Sequence, residues 1–286
     1  MENFEAWIGK KETHHDVVNS RPVQMMQALL NQNDKNPNVL PHLYHWFYFL
    51  PIVDGKEIAE DGHPQKGSFL PPIPFPKRMW AGGRLEFLNS IHINQEIRRE
   101  SEILNIDFKQ GKSGDMYFVT VKHSIYADNQ LAIIEEHDIV YREVTSQVQP
   151  QVTTNQAPLS QSLEERHYSF KSHFPIDEVT LFRYSAITFN GHRIHYDRPY
   201  ATQVEGYPGL IVHGPLLATL LLHTFKKENP NKEITRFEFR AVNPVFDFNG
   251  FYICGDVQTE HAELWIEKEQ GQICMKAKAT FEGETS

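Results

Sequence analysis

Alternation of apolar and polar residues marks four segments as strands with one buried face. These are Met116–Tyr126 (MYFVTVKHSIY), Ala132–Tyr141 (AIIEEHDIVY), Ala262–Lys268 and Gln272–Phe281 (QICMKAKATF). Glu269-Gln270-Gly271 reads as the turn between the last two. Two apolar runs predict helices instead, Pro22–Leu30 (PVQMMQALL) and Pro215–Phe225 (PLLATLLLHTF). The second is well bounded. Proline suits a first helical turn, where its missing N–H is not needed. Lys226 and Lys227 suit the negative end of the helix dipole, and Pro230 follows the stop. The stretch from Leu210 to Phe225 is the most apolar in the chain. It falls short of the roughly 20 residues that span a bilayer, so a soluble core is expected around it.

The pattern repeats. Arg84-Leu85-Glu86-Phe87 is followed by LNSIHINQEIRRESEIL, and Arg236-Phe237-Glu238-Phe239 by RAVNPVFDFNGFYICGDV. Each opening precedes two further strand candidates and follows one helix candidate. The matching order predicts an internal duplication. A long central helix wrapped by an antiparallel sheet is the hotdog arrangement, so the expected class is α+β, a double hotdog. Residues 145–163 (TSQVQPQVTTNQAPLSQSL) carry no charge and no glycine and sustain neither period, which predicts an extended linker. The expected division is an N-terminal hotdog over 1–144, this linker, and a C-terminal hotdog over 164–286. The first half holds extra residues from Gln32 to Gly83, rich in proline and aromatics. That stretch is expected to pack on the second half or to line an acyl pocket, with plain core packing as the competing reading.

Charge and composition narrow the partners. A net charge of −9 argues against a general nucleic-acid binder. Cys254 and Cys274 offer no disulfide framework and no metal-ligand spacing, as expected of reduced thiols in a cytoplasmic protein. Met1–Lys10 carries Glu2 and Glu5 and no apolar run, unlike a signal peptide.

The densest polar cluster lies between Phe182 and Ala201, with three Arg, two His, one Asp, one Asn and three Tyr. His192 and His195 stand at a spacing that can face one ion. No third ligand is evident and Arg193 lies between them, so no metal is expected. Downstream, Gly214-Pro215 opens the second helix. Its first turn offers free backbone N–H groups and a partial positive charge, and a glycine lets a ligand come close. A thioester oxygen gathering negative charge needs such a place; a bare helix-start turn is the alternative.

Tyr184–Ala201, followed by YPGLIVHGPLLATLL (Tyr207–Leu221), resembles the signature of MaoC-like hydratases. The branch most resembled contains type 2 hydroxyacyl-thioester dehydratases and mesaconyl- or itaconyl-CoA hydratases. Arg78–Phe87 (RMWAGGRLEF) and His137–Glu143 (HDIVYRE) resemble the N-terminal hotdog of that branch. The resemblance implies a hydro-lyase acting on an acyl-CoA thioester, without a cofactor beyond the coenzyme A of the substrate. It places His195 on the catalytic histidine, Gly214 on the glycine whose amide holds the thioester oxygen, and His213 before it. Asn190 falls where the pattern has Asp. Asn can position a water but cannot relay a proton at neutral pH. The implied scheme has His195 take a proton from water, with Tyr184 or Asp197 as candidate acids for the α-carbon. Tyr184 and His213 are also expected against the substrate. Arg183 and Arg193 are candidates to fork onto a second substrate carboxylate, or else to pair with Asp197 or coenzyme A phosphates. The implied reaction interconverts itaconyl-CoA or mesaconyl-C4-CoA with citramalyl-CoA, in itaconate degradation. The alternatives are a straight-chain 3-hydroxyacyl-thioester dehydratase, a hotdog thioesterase and a non-catalytic acyl-CoA binding protein. A homodimer is expected from the likeness only, because a duplicated hotdog already carries its pairing within one chain; neither nucleic acid nor membrane is expected as a partner.

Overall fold

The structure is a computed structural model, and it describes residues 4–32, 37–110, 114–143 and 166–282. The expected linker therefore lies outside the described residues. The first half runs β1 (Lys11–Val17), α1 (Ser20–Leu29), β2 (Lys77–Phe87), β3 (Glu96–Lys109), β4 (Met116–Ala127) and β5 (Gln130–Arg142). The second runs β6 (Phe170–Phe174), α2 (Glu178–Thr188), α3 (Gly214–Glu228), β7 (Glu233–Ala241), β8 (Phe251–Val257), β9 (His261–Lys268) and β10 (Ile273–Glu282). All ten strands join one antiparallel sheet in the order β1-β3-β4-β5-β2-β7-β10-β9-β8-β6. Read inward from either edge, the two halves have the same strand order. The duplication expected from the repeated motif is thus present in the topology.

The motifs themselves form the seam. β2 pairs with β7 so that Leu85 faces Phe237, Arg84 faces Glu238 and Glu86 faces Arg236. Each motif meets the other in inverse order, which puts a local two-fold between Leu85 and Phe237. Opposite charges therefore fall across from each other, and Arg236 reaches Glu86 at 3.1 Å. Leu85 and Phe237 are buried at the centre of the seam.

The halves differ in their helices. α3 buries Leu216, Leu217, Leu220, Leu221 and Phe225 against β8, β9 and β10. Each such side chain is worth about 1.5–3 kcal/mol of burial. The expectation of one long wrapped helix per half is corrected here. α1 is not the counterpart of α3. It follows edge strand β1 as α2 follows edge strand β6, and both helices open on a side-chain cap, Asn19 or Asp177. The two helices touch each other. Where the first half would need its own long helix, the chain carries eight prolines from Pro37 to Pro76. Proline interrupts the hydrogen-bond ladder of a helix, so this stretch forms only short 3₁₀ turns at Tyr44–Phe47 and Gly55–Glu57. Its aromatics are largely buried, including Tyr44, Phe47 and Tyr48. Among the described residues no helix is long and apolar enough to cross a membrane.

Candidate active site

A cavity of about 1450 Å³ opens between the proline-rich stretch, the first-half sheet and the N-terminus of α3. That exceeds the range of drug-sized pockets and suits a long ligand. The proline-rich stretch both lines the cavity and packs on the second half. Phe49 and His63 line the cavity, while Phe47 packs edge-on to Tyr184 of the second half at 6.1 Å.

The polar cluster reaches this cavity on a tightly tied loop. α2 ends at Phe189, which takes a left-handed conformation with φ 50°. Asn190 Oδ1 then accepts the His192 N–H at 3.0 Å, closing an Asx turn. One turn of 3₁₀ helix over Arg193–His195 follows. Downstream, Ile211 N–H donates to Ile194 O at 3.0 Å and Leu210 N–H to Asp247 Oδ1 at 3.0 Å. These bonds bring the loop before α3 alongside His195.

His195 is buried in the cavity wall. Its Nδ1 bonds to the Ile211 carbonyl at 2.7 Å. A carbonyl only accepts, so Nδ1 carries the proton and Nε2 is left as a base. Burial lowers the His195 pKa to about 4, against the pull of that carbonyl, so the ring is neutral at pH 7. Its face stacks on His213 with ring centres 3.7 Å apart and planes at 19°. His213 is fully buried, bonded through Nε2 to Ser185 Oγ at 2.9 Å, and held well below the ordinary histidine value by burial. Gly214 follows as the first residue of α3. A Cβ there would meet nothing nearer than the Trp80 carbonyl at 3.8 Å, so a ligand in the cavity can come close to the backbone at this first turn.

The structure brings together His195, Asn190, Gly214, Tyr184 and His213, which all line the cavity. Two arginines do not join them. Arg183 is exposed on α2 and acts electrostatically on Asp177. Arg193 spends its guanidinium on Asp197 at 2.8 Å and on the Tyr200 ring. Neither contributes to the cavity wall. Asp197 is accordingly a structural partner, also accepting the Tyr200 N–H at 3.1 Å. Tyr184 is fully buried, and burial raises its phenol above the usual range, which makes it a poor acid. Asn190 Oδ1 gives one lone pair to the turn, which leaves its NH₂ and a second lone pair to meet a water.

Sequence reasoning missed several residues of this wall, and Asp61, which holds one of them. Asp61 and His63 come from the proline-rich stretch, with His63 Nδ1 on Asp61 Oδ2 at 3.0 Å. The His63 ring sits 4.0 Å from the His192 ring, which sits 5.4 Å from His195. Candidate ligand atoms of Asp61, His63 and His192 lie within 4.8 Å of one another. They suit a cation poorly. Both Asp61 oxygens already accept from His63, at its N–H and its ring, and the Arg78 guanidinium acts on both imidazoles. Arg78 and Arg99 also face the cavity. Deeper in the first half, buried Glu135 accepts from His45 and Trp46 at 3.0 Å each. The Asp-Gly-His run at 61–63 was the available signal, hidden in a stretch read as packing.

Residues 43–247 match the family model for hydroxyacyl-thioester dehydratase type 2. The chain belongs to this family. It is 41% identical over 281 residues to a mesaconyl-C(4)-CoA hydratase of Chloroflexus aurantiacus, covering 97% of this chain and 98% of the relative. Among solved structures, a MaoC-like dehydratase from Phytophthora capsici superposes with a TM-score of 0.71 at 12% identity, covering 100% of this chain and 99% of that one. A Mycobacterium tuberculosis protein with a double hotdog fold superposes with a TM-score of 0.57 at 9% identity, covering 96% of each. The fold is thus the double hotdog of MaoC-like dehydratases.

Proposed function

We propose that the protein is a hydro-lyase that adds water to the double bond of a short, branched dicarboxylic acyl-CoA. The substrate would be mesaconyl-C4-CoA or itaconyl-CoA and the product citramalyl-CoA, as in itaconate degradation. Family membership and the 41% relative support the hydratase class. The observation that carries the dicarboxylate is Arg78. It lines the cavity on β2, and no carboxylate among the described residues lies within ion-pair distance of it. A cation turned into a partly buried cavity without an anion favours a ligand that brings one. In mesaconyl-C4-CoA the free carboxylate is attached to the carbon that water attacks. Its partner must therefore stand beside the catalytic imidazoles, and Arg78 acts on both His63 and His192.

In this reading the thioester oxygen lies at the Gly214 amide, where the α3 dipole stabilises the enolate. The attacking water is held by the bare Nε2 of His195. Asn190 NH₂ and the stacked His213 fix the approach, with Tyr184 as the apolar backing.

A panel of unsaturated acyl-CoA thioesters tests the assignment, followed by loss of enoyl absorbance or by mass. Wild type should prefer mesaconyl-C4-CoA to crotonyl-CoA. Arg78→Ala should lower kcat/KM for the dicarboxylate roughly 10- to 100-fold more than for crotonyl-CoA, the worth of a charge-assisted bond, because any effect of Arg78 on the neighbouring imidazoles falls on both substrates alike. Equal losses on both substrates would remove the argument. Release of free thiol without hydration would point to a thioesterase instead.

A further inference from the structure

The reaction needs a group that can carry a proton from water to carbon, and the residues expected for this do not suit it. Asn190 does not ionise. Tyr184 is held neutral by burial. The His195 ring has no carboxylate partner to balance an imidazolium, because its Nδ1 is on a carbonyl.

We propose that Asp61 and His63, delivered by the first half, form the proton-carrying pair of this site, with His63 the catalytic acid–base and Asp61 its positioning residue. Asp61 accepts the His63 backbone N–H at 2.9 Å with one oxygen and the ring Nδ1 at 3.0 Å with the other. That fixes the ring and leaves Nε2 bare. His63 lines the same cavity as His195 and Gly214. The pair is also locked to the catalytic loop. Gly62, at φ +90°, lies so close to Gly191 that a Cβ would fall 1.8 Å from the Gly191 carbonyl oxygen. Arg193 N–H donates to Asp61 O at 2.9 Å, and the Arg193 guanidinium to Glu60 O at 3.2 Å. Arg193 therefore holds the two loops together and does not need to touch substrate.

The step balances. Nε2 of His63 takes a proton from the water as its oxygen bonds to the β-carbon. In an α,β-unsaturated thioester such as mesaconyl-C4-CoA, the π electrons then move onto the thioester, whose oxygen is held at Gly214. The imidazolium, its charge offset by Asp61, returns the proton to the α-carbon. One O–H bond breaks, one C–O and one C–H bond form, and the thioester stays intact. Asp61 serves its histidine as the acidic member of a Ser-His-Asp triad does. The groups acting on His63 are Asp61, which favours the charged ring, and Arg78 and burial, which oppose it; His192 and His195 complete the surroundings.

The inference rests on the hydro-lyase reading and not on the acyl chain. The variants are therefore assayed on whichever thioester wild type turns over. A wild type that prefers crotonyl-CoA sinks the dicarboxylate assignment but leaves this test in place. His63→Ala should lower kcat roughly 10²-fold or more with little change in KM, and added imidazole should restore part of it. His63→Gln, which keeps most of the volume, should be as slow and not be rescued. Asp61→Asn should lower the plateau of the pH–rate profile. It should also move the acid limb to lower pH, because the anion that favours the charged ring is gone. Turnover within a few-fold of wild type in both His63 variants would overturn the proposal. So would an Asp61→Asn profile with an unmoved acid limb, or activity lost to a chelator and restored by a divalent ion.

Discussion

Gly62→Ala isolates the contact between the two halves. The added methyl carbon would sit 1.8 Å from the Gly191 carbonyl oxygen, whereas real Cβ atoms essentially never come under 3.0 Å. One loop must therefore give way by about 1.2 Å. Both neighbours in the clash are backbone, so no side chain can swing aside. A displacement near 1 Å at a reacting group costs about 10²-fold in rate. The positive φ adds about 1–2 kcal/mol of strain for an L residue. Gly271→Ala separates the two effects. Gly271 has φ +79° and nothing within 4 Å of its would-be Cβ, in the turn between β9 and β10. Steady-state kinetics and urea unfolding on both variants supply the assay. Gly271→Ala should lose about 1–2 kcal/mol of stability, Gly62→Ala more because the clash adds to the same strain, and only Gly62→Ala should lose turnover, by about 10²-fold. Wild-type turnover in Gly62→Ala would show that the stretch carrying Asp61 and His63 is packing alone.

Other perturbations have equally definite outcomes. His195 is neutral and buried, with a folded pKa near 4 against 6.5 unfolded, so its contribution to stability is complete above pH 6.5 and is lost as pH falls towards 4. At pH 5 the loss from this ring is about 2 kcal/mol, and a urea midpoint that stays flat from pH 7.5 to 5 would contradict it. Asp247→Ala leaves the buried Leu210 N–H without its acceptor and should cost about 1–3 kcal/mol. Asp247→Asn retains an acceptor there and should cost less. In Asp247→Ala kcat should fall further than a surface substitution explains, and in Asp247→Asn less, because Leu210 fixes the loop that carries the Ile211 carbonyl under His195; unchanged kcat in Asp247→Ala would disconnect that carbonyl from catalysis.

What could be read in the sequence follows the range of the forces involved. β4, β5, β9 and β10 were legible because a half-buried strand alternates over its own few residues. α3 was legible because proline, the apolar run and the two lysines are local signals. The Arg84 and Arg236 motifs announced the duplication, and their antiparallel pairing explains the charge order within them. α1 was found but assigned to the wrong partner, since an apolar nine-residue run does not say which face of a sheet it meets. Edge strands β1 and β6 escaped notice; β1 is mostly exposed and charged and lacks the alternation. For the site, His195, His213 and Gly214 lay within one contiguous signature. His63, held by Asp61, and Arg78 are more than a hundred residues away along the chain, and only the folded chain brings the two to the same wall.

The seam between β2 and β7 has a consequence for how such a molecule can change. Two identical subunits meeting on a two-fold axis share every substitution, so neither can discard a helix without the other losing it too. Here both partners are encoded separately, and the two-fold survives only at the level of strands. One copy kept α3, with its amide-bearing tip. The other has a proline-bent loop in the corresponding place, and it reaches across the seam. Symmetry holds the sheet together without constraining the chamber, and a single asymmetric pocket can draw its backbone donors from one half and its cations from the other.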